Sequence, residues 1–231
     1  LHALNGLKAR QVAKLMGDSN TGVAENAITL ATRHFAKDPG VVRQLGALAL
    51  GDNDRLRFLA AIQEQAPSVG AEFLRKNAAD VWIRRAFAST HGKQAGPALR
   101  ELLSDKSFVA NAKPGHADTL QELATLTAAN GDITSVAKAL GELAEKTAWP
   151  HFAVLNGLND GLRKSKLKTK SLAALVASPP AELGDRADRI RAILKDATAL
   201  ALDRSRSEVD RIAALPLVTQ QGFDRATPVI E

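Results

Sequence analysis

Apolar residues recur at three- and four-residue intervals along almost the whole chain, and the two-residue alternation of a half-buried strand is hard to find anywhere. That periodicity admits helices and little else. The residue types agree: 45% of the chain is apolar, mostly Ala and Leu, while aromatics make up 4% and Tyr is missing. Strands draw on β-branched and aromatic side chains, whereas Ala and Leu lead the helix scale.

Helix boundaries are marked as well. Leu120, Leu123, Ala124 and Ala128 form one stripe, and Ile133, Val136, Ala137, Leu140 and Leu143 form the next. The Asn130-Gly131-Asp132 step between them suits a left-handed residue past one helix end and an N-cap for the next. So short a turn makes antiparallel neighbours. Trp149-Pro150 closes one helix and opens another with inward Phe152, Leu155 and Leu162. A longer helix near 185–203 turns Ile190, Ile193, Leu194, Ala197, Leu200 and Ala201 inward, with Asp185 and Arg189 on its other face. Pro216 is expected to kink or end the last good helix. Loop-like composition is confined to 163–170 and 178–185, too short for linkers, so the expectation is one continuous domain over 1–231.

The first hundred residues repeat. GDSNTGVAENAITLA, LGDNDRLRFLAAIQ and NAADVWIRRAFAST each run from an Asp/Asn-rich turn into a helix that opens with an aliphatic residue. Val23, Leu56 and Ile83 take the equivalent position, at spacings of 33 and 27. A weaker helix precedes each, over 8–16, 40–50 and 67–76, with Gly40, Gly46 and Gly70 as the weakening residues. Paired helices that stack in this way form an α-solenoid.

GDNDRLRFLAA and AADVWIRRA resemble HEAT repeats, well over roughly residues 1–105, with divergent helix pairs over 106–231. The succession AENAITLA, RFLAAIQ, DVWIRRAFAS, the 130–132 helix pair, WPHFAVLNGLNDGLRK and ALVASPP resembles the helical middle of large multidomain proteins of the PVC-type haem-binding or membrane-bound dehydrogenase kind. There the segment lies between a sugar-dehydrogenase-like β-propeller and a cytochrome c module. The resemblance implies a scaffold or spacer excised from a larger, redox-linked bacterial protein with an extracytoplasmic setting. LHALNGL reads as the tail of a helix and FDRATPVIE as the opening of another repeat, in keeping with excision. The family's haem motif does not map here, since the chain has no Cys.

Without Cys there is no disulfide, thiolate metal site or Cys nucleophile. His2, His34, His91, His116 and His151 are scattered without ligand spacing, and no phosphate-loop, dinucleotide or serine-elbow motif occurs. No catalytic residue, cofactor or metal is expected. LHALNGLKAR carries no signal-peptide pattern, and charges interrupt every run long enough to span a bilayer.

The net charge of +6 is unevenly spread. Residues 1–115 hold 16 Lys and Arg against 10 Asp and Glu, and residues 116–231 hold 15 against 15. In the basic half, Arg55, Arg57, Arg75, Lys76, Arg84 and Arg85 lie in successive repeats. They either line a binding edge or tie repeats together through Asp52, Asp54 and Asp80. Trp82 beside them is expected to pack between repeats. The run Arg163, Lys164, Lys166, Lys168 and Lys170 is either a phosphate-holding patch or a solvated loop, with no aromatic residue interleaved for base stacking. The favoured reading is a non-catalytic interaction or spacer domain whose partner is another domain of the same polypeptide or a second protein. The alternative is a nucleic-acid binder of the HEAT-like DNA glycosylase kind, and an enzyme of unrecognised type stands third.

Overall fold

The computed structural model describes residues 6–61, 67–110, 112–131, 133–142 and 149–219. Among them the chain is all-helical, with no strand, and no helix is long and apolar enough to cross a membrane. His2, Asp132, Leu143, most of LHALNGL and all of FDRATPVIE lie outside the described residues. The chain gathers into two compact units, one of Leu1–Asn77 with Trp82–His91 and one of Ala78–Val81 with Gly92–Glu231.

The first unit runs through α1 (Ala9–Leu15), α2 (Thr21–His34), α3 (Pro39–Ala49), α4 (Asp54–Ala61), α5 (Pro67–Lys76) and α6 (Val81–His91). The helices α1, α3 and α5 fall where the weaker members of the repeat were expected. Short polar side chains start several of these helices. Asn20 Oδ1 accepts from the Gly22 and Val23 amides, Asp38 Oδ1 from Gly40 and Val41, and Asn53 Oδ1 from Leu56. Each satisfies amides that the first turn leaves without intrahelical partners.

Helix α1 packs on α2 and α3, α2 on α4, and α3 on α4 and α5. Ile28, Leu45, Leu56, Phe73 and Ile83 meet in one apolar cluster. Gly70 has a packing reason as well as a propensity cost, because a Cβ there would lie 2.7 Å from the Phe87 ring. One repeat position is corrected. Leu56 and Ile83 are buried, but Val23 is 38% exposed, and the neighbouring Ala24 faces the core instead. The inward set is therefore 24, 27, 28 in α2 and 83, 86, 87 in α6.

The second unit contains α7 (Ala95–Ser104), α8 (Lys106–Ala110), α9 (His116–Ala129), α10 (Ile133–Glu142), α11 (Trp149–Lys164), α12 (Leu172–Ala177), α13 (Arg186–Leu202) and α14 (Glu208–Thr219). Gly131 takes φ +77° past the end of α9, as its place before a second helix predicts. Helix α7 packs on α9 and α10, α9 on α10 and α11, α11 on α14, and α13 on α10, α12 and α14.

The seam between α9 and α11 is close. A Cβ on Gly157 would run into the Gln121 carbonyl oxygen and lie 2.8 Å from Ala124 Cβ; one on Gly161 would meet the Thr125 carbonyl and Ala128 Cβ. Four-residue spacing of small residues on both helices lets the backbones approach.

Helix α11 departs from the expected one-sided stripe. Every residue from Trp149 to Asn159 is buried. Its two buried asparagines bond to residues far along the chain: Asn159 Oδ1 accepts the Leu172 amide at 3.1 Å, and Asn156 Nδ2 donates to the Ala213 carbonyl at 3.0 Å. Pro216 does not end α14, which continues to Thr219. Proline has no N–H for the carbonyl four residues back, that of Ile212. The Asn156 side chain comes in one residue away, at Ala213, beside this gap in the ladder.

Candidate functional site

Arg186 is the first residue of α13, with Arg189, Ile190 and Ile193 following at helical spacing. Positions i, i+3, i+4 and i+7 share one helix face. The stripe that seals α13 into its unit thus starts with two cations. It meets α10 and α11 around a cavity of about 100 Å³ whose apolar floor is Leu140, Leu155, Ile190 and Ile193.

Arg186, Arg189 and His151 supply the polar wall of that cavity. His151, on the first turn of α11, is only 4% exposed. Its Nε2 lies 3.1 Å from Arg189 Nη2. A guanidinium can only donate, so Nε2 accepts and carries no proton. Arg189 therefore faces inward, which corrects its expected place on the outer face. Gly141 leaves room for the other arginine, since a Cβ there would sit 2.7 Å from an Arg186 guanidinium nitrogen. The Asp185 side chain makes no capping bond, and the amide end of α13 adds its positive field. The nearest carboxylate on α13's first turn, Asp188, is exposed and pairs with Arg191. Among the described residues the lining holds no carboxylate and no nucleophile, and its polar groups are two arginines and a histidine.

The basic residues read from the sequence do not form one site. Arg57 is half-buried on α4, Arg84 is buried on α6, and the Arg55 side chain lies outside the described residues. Lys76, beside the half-buried Arg75 at the end of α5, is 3.7 Å from Glu72 in an exposed pair. Arg85 is exposed, with its guanidinium carbon 5.5 Å from the Trp82 ring centre. Trp82 itself is 69% exposed, against the expectation that it packs between repeats. The stripe of α6 takes Ile83, Ala86 and Phe87, which leaves Trp82 and Arg85 as an i, i+3 pair on the outer side.

In the second unit, Arg163 pairs with Asp160 at 2.5 Å and Lys170 donates to the Ser165 carbonyl. Lys164, Lys166 and Lys168 are exposed, the last two in the irregular link between α11 and α12.

His116 and His91 are built into packing, whereas His34 is exposed at the end of α2. His116 stacks on Phe108 with ring centres 3.9 Å apart, and His91 stacks on Phe87 at 5.1 Å. Burial holds the His91 imidazole below its ordinary value. Among the described residues no group of three or more His, Asp or Glu converges as metal ligands would. Arg186 went unnoticed in the sequence, yet RADRIRAI carries its signal: two arginines continue an isoleucine stripe by one more turn. Comparison with protein-family models, curated proteins and solved structures finds no match.

Proposed function

We propose that this chain is a non-catalytic interaction or spacer domain, built as a HEAT-like α-solenoid. Support for the architecture comes from the order of packing within each unit. In the first, α1 packs on α3 and α2 on α4, so like members of successive pairs stack. In the second, α7, α10 and α13 form one row and α9, α11 and α14 the other. Repeats that stack in two rows bury a continuous core and leave their outer helices for partners.

The observation that carries the interaction reading is the Trp82–Arg85 pair. Trp and Arg dominate the energetics of protein interfaces, and Trp82 is 69% exposed. Its partner is another domain of the same polypeptide or a second protein. The resemblance adds the setting of a spacer in a redox-linked protein. The flanking coding sequence tests that setting: propeller strands upstream and a C-x-x-C-H downstream support it, and a start codon immediately before Leu1 overturns it.

A nucleic-acid partner is the second reading, favoured by the same pair and by charge. The first unit holds 12 Lys and Arg against 7 Asp and Glu, the second 19 against 18. The two tryptophans separate the readings, because Trp149 is buried and Trp82 is not. In a Trp149→Phe variant the emission reports Trp82 alone. A protein-directed surface gives no quenching by a short DNA duplex at low salt. Quenching that collapses between about 50 and about 200 mM salt would establish the nucleic-acid reading instead.

A further inference from the structure

We propose that the outer side of α1 and α3 is a docking surface for an acidic segment of a partner protein, with carboxylates spaced about one helical turn apart. The inference rests on the interaction reading and gives it a partner chemistry, on a surface other than the Trp82–Arg85 pair.

Placement follows from the two core stripes. Val12 and Met16 are buried on the α1 side, and Val41 and Leu45 on α3. Lys14 stands two residues from both Val12 and Met16, and Arg43 two residues from both Val41 and Leu45. Two residues turn a helix by about 200°, so each cation lies opposite its core stripe. Arg10 stands in the same relation to Val12 and is one turn from Lys14. All three are exposed. The two helices are side by side: α1 packs on α3, and a Cβ on Gly17, just past α1, would lie 3.3 Å from Gln44 Nε2, next in sequence to Arg43.

Charge on this side is of one sign. Neither helix contains an Asp or Glu. The carboxylates at their ends are turned to backbone amides, Asp18 to that of Asn20 and Asp38 to those of Gly40 and Val41. Asp54 and Glu64, whose side chains lie outside the described residues, belong to α4 and the stretch after it. Among the described residues no hydrogen bond or ion pair engages the side chains of Arg10, Lys14 or Arg43. The next helix in the row, α5, ends the patch, because its Lys76 is already paired with Glu72.

Number and spacing select the partner. Arg10 and Lys14 are ~6 Å apart along the axis, and Arg43 is on a helix whose axis runs about 8–10 Å away. Glutamates four apart on a partner helix repeat at the same ~6 Å, and each guanidinium presents a fork matched to a carboxylate. A nucleic-acid duplex is a poorer match. Its binders commonly make about 6–10 phosphate contacts, whereas three cations give a loss of only about 40-fold between ~50 and ~200 mM salt. Helices α1 and α3 also carry no aromatic side chain on which a base could stack.

The probe is a labelled helical peptide with Glu at four-residue intervals, titrated with the whole chain and read by fluorescence anisotropy. Its Gln counterpart, a short DNA duplex and vesicles with and without phosphatidylserine are compared with it. The acidic peptide should bind about tenfold or more tightly than the Gln peptide, and more tightly than the duplex. Lys14→Gln combined with Arg43→Gln should weaken that binding about tenfold or more, with circular dichroism and melting temperature unchanged because both side chains are exposed. Lys164→Gln combined with Lys168→Gln removes the same charge from exposed positions of the second unit and should leave the binding unaltered.

No binding of the acidic peptide, equal binding of the Gln peptide, indifference to the Lys14 and Arg43 changes, or an equal loss in the second-unit variant overturns the proposal. Tighter binding of the duplex or of the anionic vesicles overturns it too, and assigns the face to the phosphates of a nucleic acid or a membrane. Failure of the interaction reading itself is seen separately, in the Trp82 emission, which involves no residue of α1 or α3.

Discussion

Val23 and Ala24 are adjacent in sequence and about 100° apart around α2, which leaves Val23 38% exposed and buries Ala24. Ala24→Asp would place an unpaired carboxylate in the core and should cost on the order of 3 kcal/mol or more, whereas Val23→Asp should stay within about 0.5 kcal/mol. Urea midpoints of the two variants measure the difference, and equal losses would mean that the inward register of α2 is misplaced. The repeat in the sequence was legible because Leu56 and Ile83 stand three residues after Asn53 and Asp80. It slipped in α2 because Val23 mimics them three after Asn20, while the inward residue is an unremarkable alanine four after it. His91 makes a second residue-level prediction. Burial lowers its folded-state value from 6.5, so the unfolded chain binds the proton more readily. The resulting stability is present in full above that value and declines as pH falls below it. Between about pH 7.5 and about pH 5.5 the melting temperature should drop, and the slope should be shallower in His91→Gln. An unchanged slope would show that this imidazole protonates as freely folded as unfolded.

At the scale of elements, glycine and proline have acted against their usual meaning. Gly157 and Gly161 sit mid-helix, where propensity alone penalises them, because α9 comes too near for a methyl group. Gly161→Ala should therefore destabilise by about 1–3 kcal/mol or more, although alanine is the better helix former, and a gain in thermal stability would disprove the tight seam. Pro216 works the other way. Restoring an N–H opposite Ile212 with Pro216→Ala should stabilise the fold by up to about 3 kcal/mol, read as a higher urea midpoint. Helix starts were readable because Asn20, Asp38 and Asn53 cap by a local rule. The all-round burial of α11 was not, since His151, Asn156 and Asn159 look like solvent-facing residues until their partners are known. Those for the two asparagines, Leu172 and Ala213, lie 13 and 57 residues away.

For the molecule as a whole, an excess of Ala and Leu at helical spacing was enough to give the class, because no other secondary structure buries such a pattern. The candidate site was less accessible. Arg186 and Arg189 form a site only through what α10 and α11 set against them, and a one-dimensional pattern assigns charged residues to solvent by default. The cavity residues also come from three helices, so no local motif marks them. Among the basic residues that did stand out, Arg84 is buried, which its sequence position alone did not reveal. The close seam of α9 and α11 is, finally, a place where folding can begin. Gly157 and Gln121 are 36 positions apart by number, and contacts of modest sequence separation close their loop at small entropic cost. Substitutions along the seam should slow refolding, with φ-values of about 0.5–0.8, while those in α14 should chiefly speed unfolding. The same glycines that draw two backbones together would then set how fast the second unit finds its native state.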